Sequence, residues 1–130
     1  MAKLMIKTPC STFTLSSIMC CVFGIKTFDV SVYFTLLNNG ALKVNDISEK
    51  LNRDRSTVQR AVQSLVNAGL AKRKQINLKE GGYFYVYMAI PFEEIKNAIK
   101  NAMETWCNDV KNWVNSIDDN DLKNMADEKI

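Results

Sequence analysis

The sequence predicts a mainly helical fold carrying one small β-hairpin, an α+β class, and three observations predict it. Apolar residues recur at helical spacing in successive short stretches before residue 70. The period then changes to alternation around a paired-glycine turn, and a long three-to-four spacing follows from Phe92 to Ile117. With 130 residues, 47% of them hydrophobic, the chain suits one domain, or a small domain plus one long accessory element.

In order, residues 1–10 end in Pro9 and have no clear period, as expected of an N-terminal arm or edge strand. From Ser11 the positions Leu15, Ile18, Met19 and Val22 predict a helix that Gly24 ends. A second helix is predicted from Thr27, with the Thr27 hydroxyl as cap and Asp29 facing the helix dipole. Its expected core side is Val30, Tyr33, Phe34 and Leu37, before the turn Asn38-Asn39-Gly40. Val44, Ile47 and Leu51 mark a short third helix, for which Asn45 is the expected cap. Asp54 caps a fourth, Arg55–Ala68, with a core stripe of Val58, Ala61, Val62 and Leu65. Gly69 stands where a left-handed residue closes it, and Leu70 supplies the accompanying apolar contact. Two short helices with so short a turn between them form a helix-turn-helix.

Ala71–Leu78 and Tyr83–Ile90 then flank Lys79-Glu80-Gly81-Gly82 as two hairpin arms. Phe84, Val86, Met88 and Ile90 alternate with Tyr83, Tyr85, Tyr87 and Ala89, so one face of the second arm is aliphatic and the other tyrosine-lined. Helix, helix-turn-helix and basic hairpin is the order of a winged helix, expected over 11–90. Pro91 suits a first helical turn, and an uninterrupted helix of about 27 residues is expected over 91–117. The remainder, 118–130, is polar and acidic and is expected to fray.

Charge is unevenly placed. Residues 1–90 carry 12 Lys/Arg against 5 Asp/Glu, and residues 91–130 carry 5 against 9. Within 53–79 there are 7 basic residues and Asp54 alone among acids. A basic block beside an acidic one suggests that one part meets an anion and the other does not, although a charge run can also be a solvated face. The absence of histidine removes His-based triads, the His general base and His-ligated metals, and no other nucleophile has an obvious base beside it. No enzyme, cofactor or metal site is therefore expected. Phe13–Ile25 follows Lys3 and Lys7 as the core of a signal peptide would. Two serines interrupt it, however, no small-x-small cleavage site follows before Lys26, and it is too short to span a bilayer. A cytoplasmic protein is expected. Cys10, Cys20, Cys21 and Cys107 lack zinc-finger spacing and read as incidental thiols or, for Cys20, Cys21 and Cys107, as redox-responsive ones.

At about 100° per residue, Ser56, Arg60, Gln63 and Asn67 centre the side of the fourth helix opposite its core stripe, flanked by Thr57, Gln59 and Ser64. That face has amide, hydroxyl and guanidinium groups and no carboxylate, and a helix fits the major groove of DNA. Arg60 can bond a guanine edge and Gln59 or Gln63 an adenine edge, while Arg55, Ser56 and Thr57 at the helix N-terminus suit a phosphate. Lys72, Arg73, Lys74 and Lys79, with Tyr83 near the tip, suit backbone phosphates or the minor groove. Tyr85 and Tyr87 can stack on unpaired bases or, the favoured expectation, pack against the long helix. The stripe Phe92, Ile95, Ile99, Ala102, Met103, Trp106, Val110, Trp113 and Ile117 is too long for so small a domain to cover, so either a second copy or the N-terminal helix is expected on it.

The run VNDISEKLNRDRSTVQRAVQSLVNAGLAKRK, followed by GGYFYVYMAIP and a long helix, resembles the winged-helix module of archaeal TrmB-type regulators. With MCCVFGIKTFDVSVYFTLL before it, the chain is similar to their short, single-domain, Lrs-like relatives over about residues 17–117. The resemblance implies a MarR-like dimeric architecture and a DNA-binding transcription regulator. Recognition would fall on Arg55–Gln63, the wing on Lys72–Tyr83 and dimerisation on Phe92–Ile117. The larger sugar-sensing regulators carry a separate effector domain not found here, so no small-molecule effector is assigned. The expected function is a homodimer that binds double-stranded DNA in a sequence-specific way. The alternatives are a redox-responsive or chromatin-like DNA-binding protein and a winged-helix protein-interaction adaptor.

Overall fold

A computed structural model describes residues 13–126. The expected N-terminal arm and Cys10, with residues 127–130, lie outside the described residues. The elements are α1 (Leu15–Phe23), α2 (Thr27–Asn39), α3 (Val44–Leu51), α4 (Arg55–Asn67), β1 (Ala71–Asn77), β2 (Tyr83–Ala89), α5 (Phe92–Asn115) and α6 (Asp119–Ala126). The chain divides into two compact units, with the boundary between Ile95 and Lys96 inside α5.

Local chemistry sets the helix ends. Helix α1 starts later than Ser11 because Thr14 and Ser17 cap each other, each hydroxyl accepting the other's amide N–H at 3.1 Å. Gly24 closes it at φ 67°, a left-handed conformation that glycine adopts without a steric penalty. At α2 the cap differs from expectation: Thr27 is already helical, and the Asp29 carboxylate reaches back to accept the Lys26 N–H at 2.9 Å. Likewise Asp46, and not Asn45, caps α3 by accepting the Lys43 N–H at 3.2 Å. In both cases a carboxylate three residues into the helix satisfies an amide that the helix itself cannot.

The buried side of α2 also differs. Val30, Val32, Tyr33 and Leu36 are buried, whereas Phe34 and Leu37 are only half-buried. The helix touches α1, α4 and β2, so it is covered on more than one side, and a single amphipathic stripe underestimates its core. The stripe of α4 is as expected, with Val58, Ala61, Val62 and Leu65 all buried. Beyond Ala68, Leu70 N–H bonds Leu65 O at 2.9 Å and Gly69 N–H bonds Val66 O at 3.1 Å, which is the Schellman closure.

Strands β1 and β2 pair antiparallel from Ala71↔Ala89 to Asn77↔Tyr83. The turn between them is closed by Gly81 and Gly82, both at positive φ. A short third partner escaped the sequence pattern: Leu42 and Tyr87 exchange backbone hydrogen bonds of 3.0 and 2.8 Å. Tyr87 is buried, and its hydroxyl meets Gln59 of α4 at 3.3 Å. The expectation that the tyrosine face turns to the long helix is thus corrected: Tyr87 turns to α4 because its phenol needs a polar partner when buried.

Helix α5 has 24 residues and is shorter than expected at both ends. Pro91 stands just before it, its carbonyl accepting Glu94 N–H at 3.1 Å. At the far end the last turn tightens, Ile117 N–H bonding Val114 O at 3.2 Å. Asp118 and Asp121 then bond each other's amides at 2.9 and 3.1 Å and start α6. Residues 119–126, expected to fray, are therefore helical, because these carboxylates cap a new first turn.

Tyr33 ties the first unit together. It is fully buried, and its hydroxyl donates to Ile90 O at 2.7 Å. Burial pushes its phenol up to about 12, so folding favours the protonated form. The unfolded chain releases this proton near pH 10 and the folded one near 12, so stability is full below 10 and falls as pH rises through this window. Tyr33→Phe is expected to cost about 1 kcal/mol at neutral pH. It should also flatten the decline between pH 10 and 12, as read by urea denaturation at pH 8 and pH 11.

Candidate nucleic-acid interface

The outward side of α4 begins at its cap. Asp54 accepts Thr57 N–H at 3.2 Å and the Thr57 hydroxyl at 2.6 Å, and the Ser56 hydroxyl also donates to it. These bonds, Ser56 first, hold the Asp54 carboxyl well below the usual carboxylate range. Ser56 and Thr57 were expected to meet a phosphate. In this structure their hydroxyls are engaged by Asp54, whose negative charge already occupies the helix N-terminus. Arg55 is exposed at the first helical position.

Further along, Arg60 is exposed and bonds Thr57 Oγ1 at 3.4 Å, and Gln63 donates to Asn67 Oδ1 at 3.0 Å. These partners lie on the same helix face, so they orient the two long side chains outward. Gln59 is also exposed, but its amide donates to Tyr87 and links α4 to the hairpin.

The hairpin divides its cations between two faces, because alternate strand residues point to opposite sides. Lys72 and Lys74 share one face. Arg73 lies on the other, its guanidinium 4.3 Å from the Tyr85 ring centroid. Here it borders a cleft of about 370 Å³ with Arg55, Gln59 and Tyr87. Lys43 closes the same cleft, its Nζ 4.1 Å from the Phe84 ring centroid. Lys43 does not stand out in the sequence; a cation at the start of the first helix of a helix-turn-helix is the signal that points to it. Lys79 is exposed in the turn, and Tyr83 is exposed beside Tyr85 with ring centroids 5.5 Å apart. The structure thus brings Arg55, Gln59 and Arg73 together and leaves Lys79 and Tyr83 at the tip.

The apolar stripe expected to dimerise splits at the unit boundary. Ile95 is buried within the first unit, and Phe92 lies 6.2 Å from Phe34 between ring centroids. From Lys96 onward Ala102, Met103, Trp106, Val110 and Trp113 are exposed, and Ile99 and Ile117 are half-buried. Cys21 and Cys107 are exposed free thiols, and Cys20 is half-buried. No helix among the described residues is long and apolar enough to cross a membrane.

Three core helices, α2 to α4, the last two of them a helix-turn-helix, and a two-stranded wing define a winged-helix protein. The family model for the sugar-specific transcriptional regulator TrmB matches residues 19–93, and the chain belongs to the TrmB family of DNA-binding transcription regulators. It is 63% identical over 122 residues to the uncharacterised protein MJ1503 of Methanocaldococcus jannaschii, covering 94% of this chain and 92% of that one. A structure from Methanosarcina mazei, named a possible transcriptional regulator, superposes with a TM-score of 0.75 at 27% identity, covering 91% of this chain and all of that one. The ST1889 protein of Sulfolobus tokodaii shares the fold, with a TM-score of 0.60 at 18% identity over 72% of this chain and 92% of that one.

The Asp54 cap has a pH signature. Its contribution to stability is present above the unfolded carboxylate range and is lost as pH falls through the lowered folded value. Asp54→Ala is expected to lower the thermal midpoint at pH 7, and its difference from wild type is expected to shrink in acid. Asp54→Asn, which keeps an acceptor, should retain most of the wild-type midpoint at pH 7. Thermal melts at pH 7 and pH 2 check this.

Proposed function

We propose that the protein is a homodimeric, sequence-specific regulator of transcription that binds double-stranded DNA in the cytoplasm. Helix α4 enters the major groove, with Arg60 and Gln63 as the leading base readers and Arg55 on the backbone. Lys72, Arg73, Lys74 and Lys79 of the wing, with Tyr83 at its tip, lie on the backbone or in the adjacent minor groove. The observation that carries this reading is the outward ridge of α4: Arg60, Gln63 and Asn67 are exposed, with no carboxylate among them, beside a hairpin rich in cations. Ser56 and Thr57 have a supporting role through the Asp54 cap, and Gln59 joins the wing to the helix.

A second copy covering α5 is supported by its exposed Met103, Trp106, Val110 and Trp113. A two-fold pair of recognition helices about 34–36 Å apart would select a palindromic site.

The test is fluorescence anisotropy on a duplex from the upstream region of the protein's own coding sequence and on a scrambled duplex. With about six phosphates neutralised per dimer, the log–log salt slope is expected near −5. Arg60→Ala should reduce the preference for the upstream duplex by about 1–3 kcal/mol. Lys74→Ala should weaken both duplexes alike and make the slope shallower by about 1 for each phosphate it leaves unneutralised. Equal affinity of the wild type for both duplexes would replace the operator-reading role with DNA coating. No binding to either would favour a protein-interaction adaptor. Sedimentation equilibrium checks the dimer: wild type should be dimeric and Trp106→Glu monomeric, and a monomeric wild type would overturn the assignment of α5.

A further inference from the structure

Viewed down α4 at about 100° per residue, the outward ridge has a flank on each side. Arg55, Gln59 and Val66 form one flank, and the two clefts shared with the hairpin open there. Thr57, Ala61 and Ser64 form the other, which borders a separate groove of about 410 Å³. Lys26 and Phe28, at the start of α2, line this groove together with Arg53 from the turn before α4. The Arg53 guanidinium lies 5.2 Å from the half-buried Phe28 ring, so the ring gives an exposed arginine a seat at the groove. The one carboxylate in the lining, Asp29, is 5% exposed and already accepts the Lys26 N–H at 2.9 Å. The groove therefore offers Lys26 and Arg53, beside Arg60 and the Ser64 hydroxyl, to an anion, while the Thr57 hydroxyl is already donated to Asp54.

We propose that this groove binds a backbone phosphodiester of the duplex, with Lys26 and Arg53 as phosphate ligands and Phe28 as the residue that positions Arg53. The inference rests on the DNA-binding function proposed above and extends it to the second strand. A helix seated in the major groove runs between two phosphate strands about 12 Å apart. The hairpin cations stand on one flank of α4, so they serve one strand. The opposite strand must pass the other flank, where this groove concentrates positive charge. Arg53 belongs to the basic run of the sequence, but its pairing with Phe28, distant in the chain, is visible only in the fold.

The experiment titrates the full chain onto labelled upstream and scrambled duplexes between about 50 and 300 mM salt. Lys26→Gln/Arg53→Gln is expected to weaken both duplexes alike, by roughly tenfold, and to make the salt slope shallower by about 2 per bound protomer. Arg53→Lys should keep the wild-type slope, and Phe28→Leu should make it shallower by less than the double variant at an unchanged thermal midpoint. A double variant with wild-type affinity and slope overturns the proposal. So does a loss confined to the upstream duplex at unchanged slope, which would make these residues base readers. Wild-type protein that binds neither duplex overturns the DNA-binding function itself. If Arg53→Gln then weakens calorimetric binding of inorganic pyrophosphate, the groove is a site for a small phosphate compound and the duplex assignment is overturned.

Discussion

A buried phenol must find an acceptor, and the Tyr33 hydroxyl finds one in the Ile90 carbonyl. That bond joins the middle of α2 to the end of β2, where the next residue is Pro91. The Ile90 N–H in turn bonds Leu70 O at 3.0 Å, just beyond the closing turn of α4. Helix α2, the hairpin and helix α4 thus meet around one short segment. The orientation of the wing relative to α4 follows from this junction and from the buried Tyr87, whose hydroxyl meets Gln59. The core at Tyr33 and the proposed DNA-facing surface are thus held by one set of contacts.

The polar residues of the helix-turn-helix divide into those that hold the backbone and those left free. Asp54, Ser56 and Thr57 satisfy the start of α4 among themselves. Gln59 is drawn toward the hairpin, while Arg60 and Gln63 have partners on α4 alone. An amide or hydroxyl engaged within the protein gives up part of its bonding capacity to a base, so this division narrows the residues suited to discrimination. The same logic separates Arg73, stacked on Tyr85, from Lys72 and Lys74 on the opposite face of the strand.

Charge and apolar surface are separated along the chain. The unit that ends at Ile95 holds the basic helix-turn-helix and hairpin and 12 of the 17 Lys/Arg, and the segment after it holds 7 of the 14 acids against 5 Lys/Arg, together with exposed tryptophans. An acidic segment is repelled by a polyanion, whereas an exposed aromatic stripe is stabilised by burial against another protein surface. These two opposite preferences are what the proposed division of labour between DNA contact and self-association rests on.

Much of this protein is legible in the sequence because its signals are local. The stripe of α4, the Gly69 closure and the paired-glycine turn each depend on residues a few positions apart, and the structure shows all of them. In β2, by contrast, the one buried residue, Tyr87, lies on the tyrosine face and not on the aliphatic one. Local pattern fell short where an interaction is longer in range or has near-equal local competitors. Asp29 and Asp46, and not Thr27 and Asn45, cap their helices because a carboxylate one turn in reaches back to the amide of the residue before the helix, Lys26 or Lys43. The burial of Val32 and Leu36, the turning of Tyr87 toward Gln59 and the seating of Arg53 on Phe28 join residues far apart in the chain. By itself, then, the sequence determined the order of the elements, their principal faces and the placement of charge, because side-chain periodicity and capping act within one or two turns. Tertiary structure alone decided which polar groups remain free for a ligand, because that depends on which distant side chains burial brings within bonding distance.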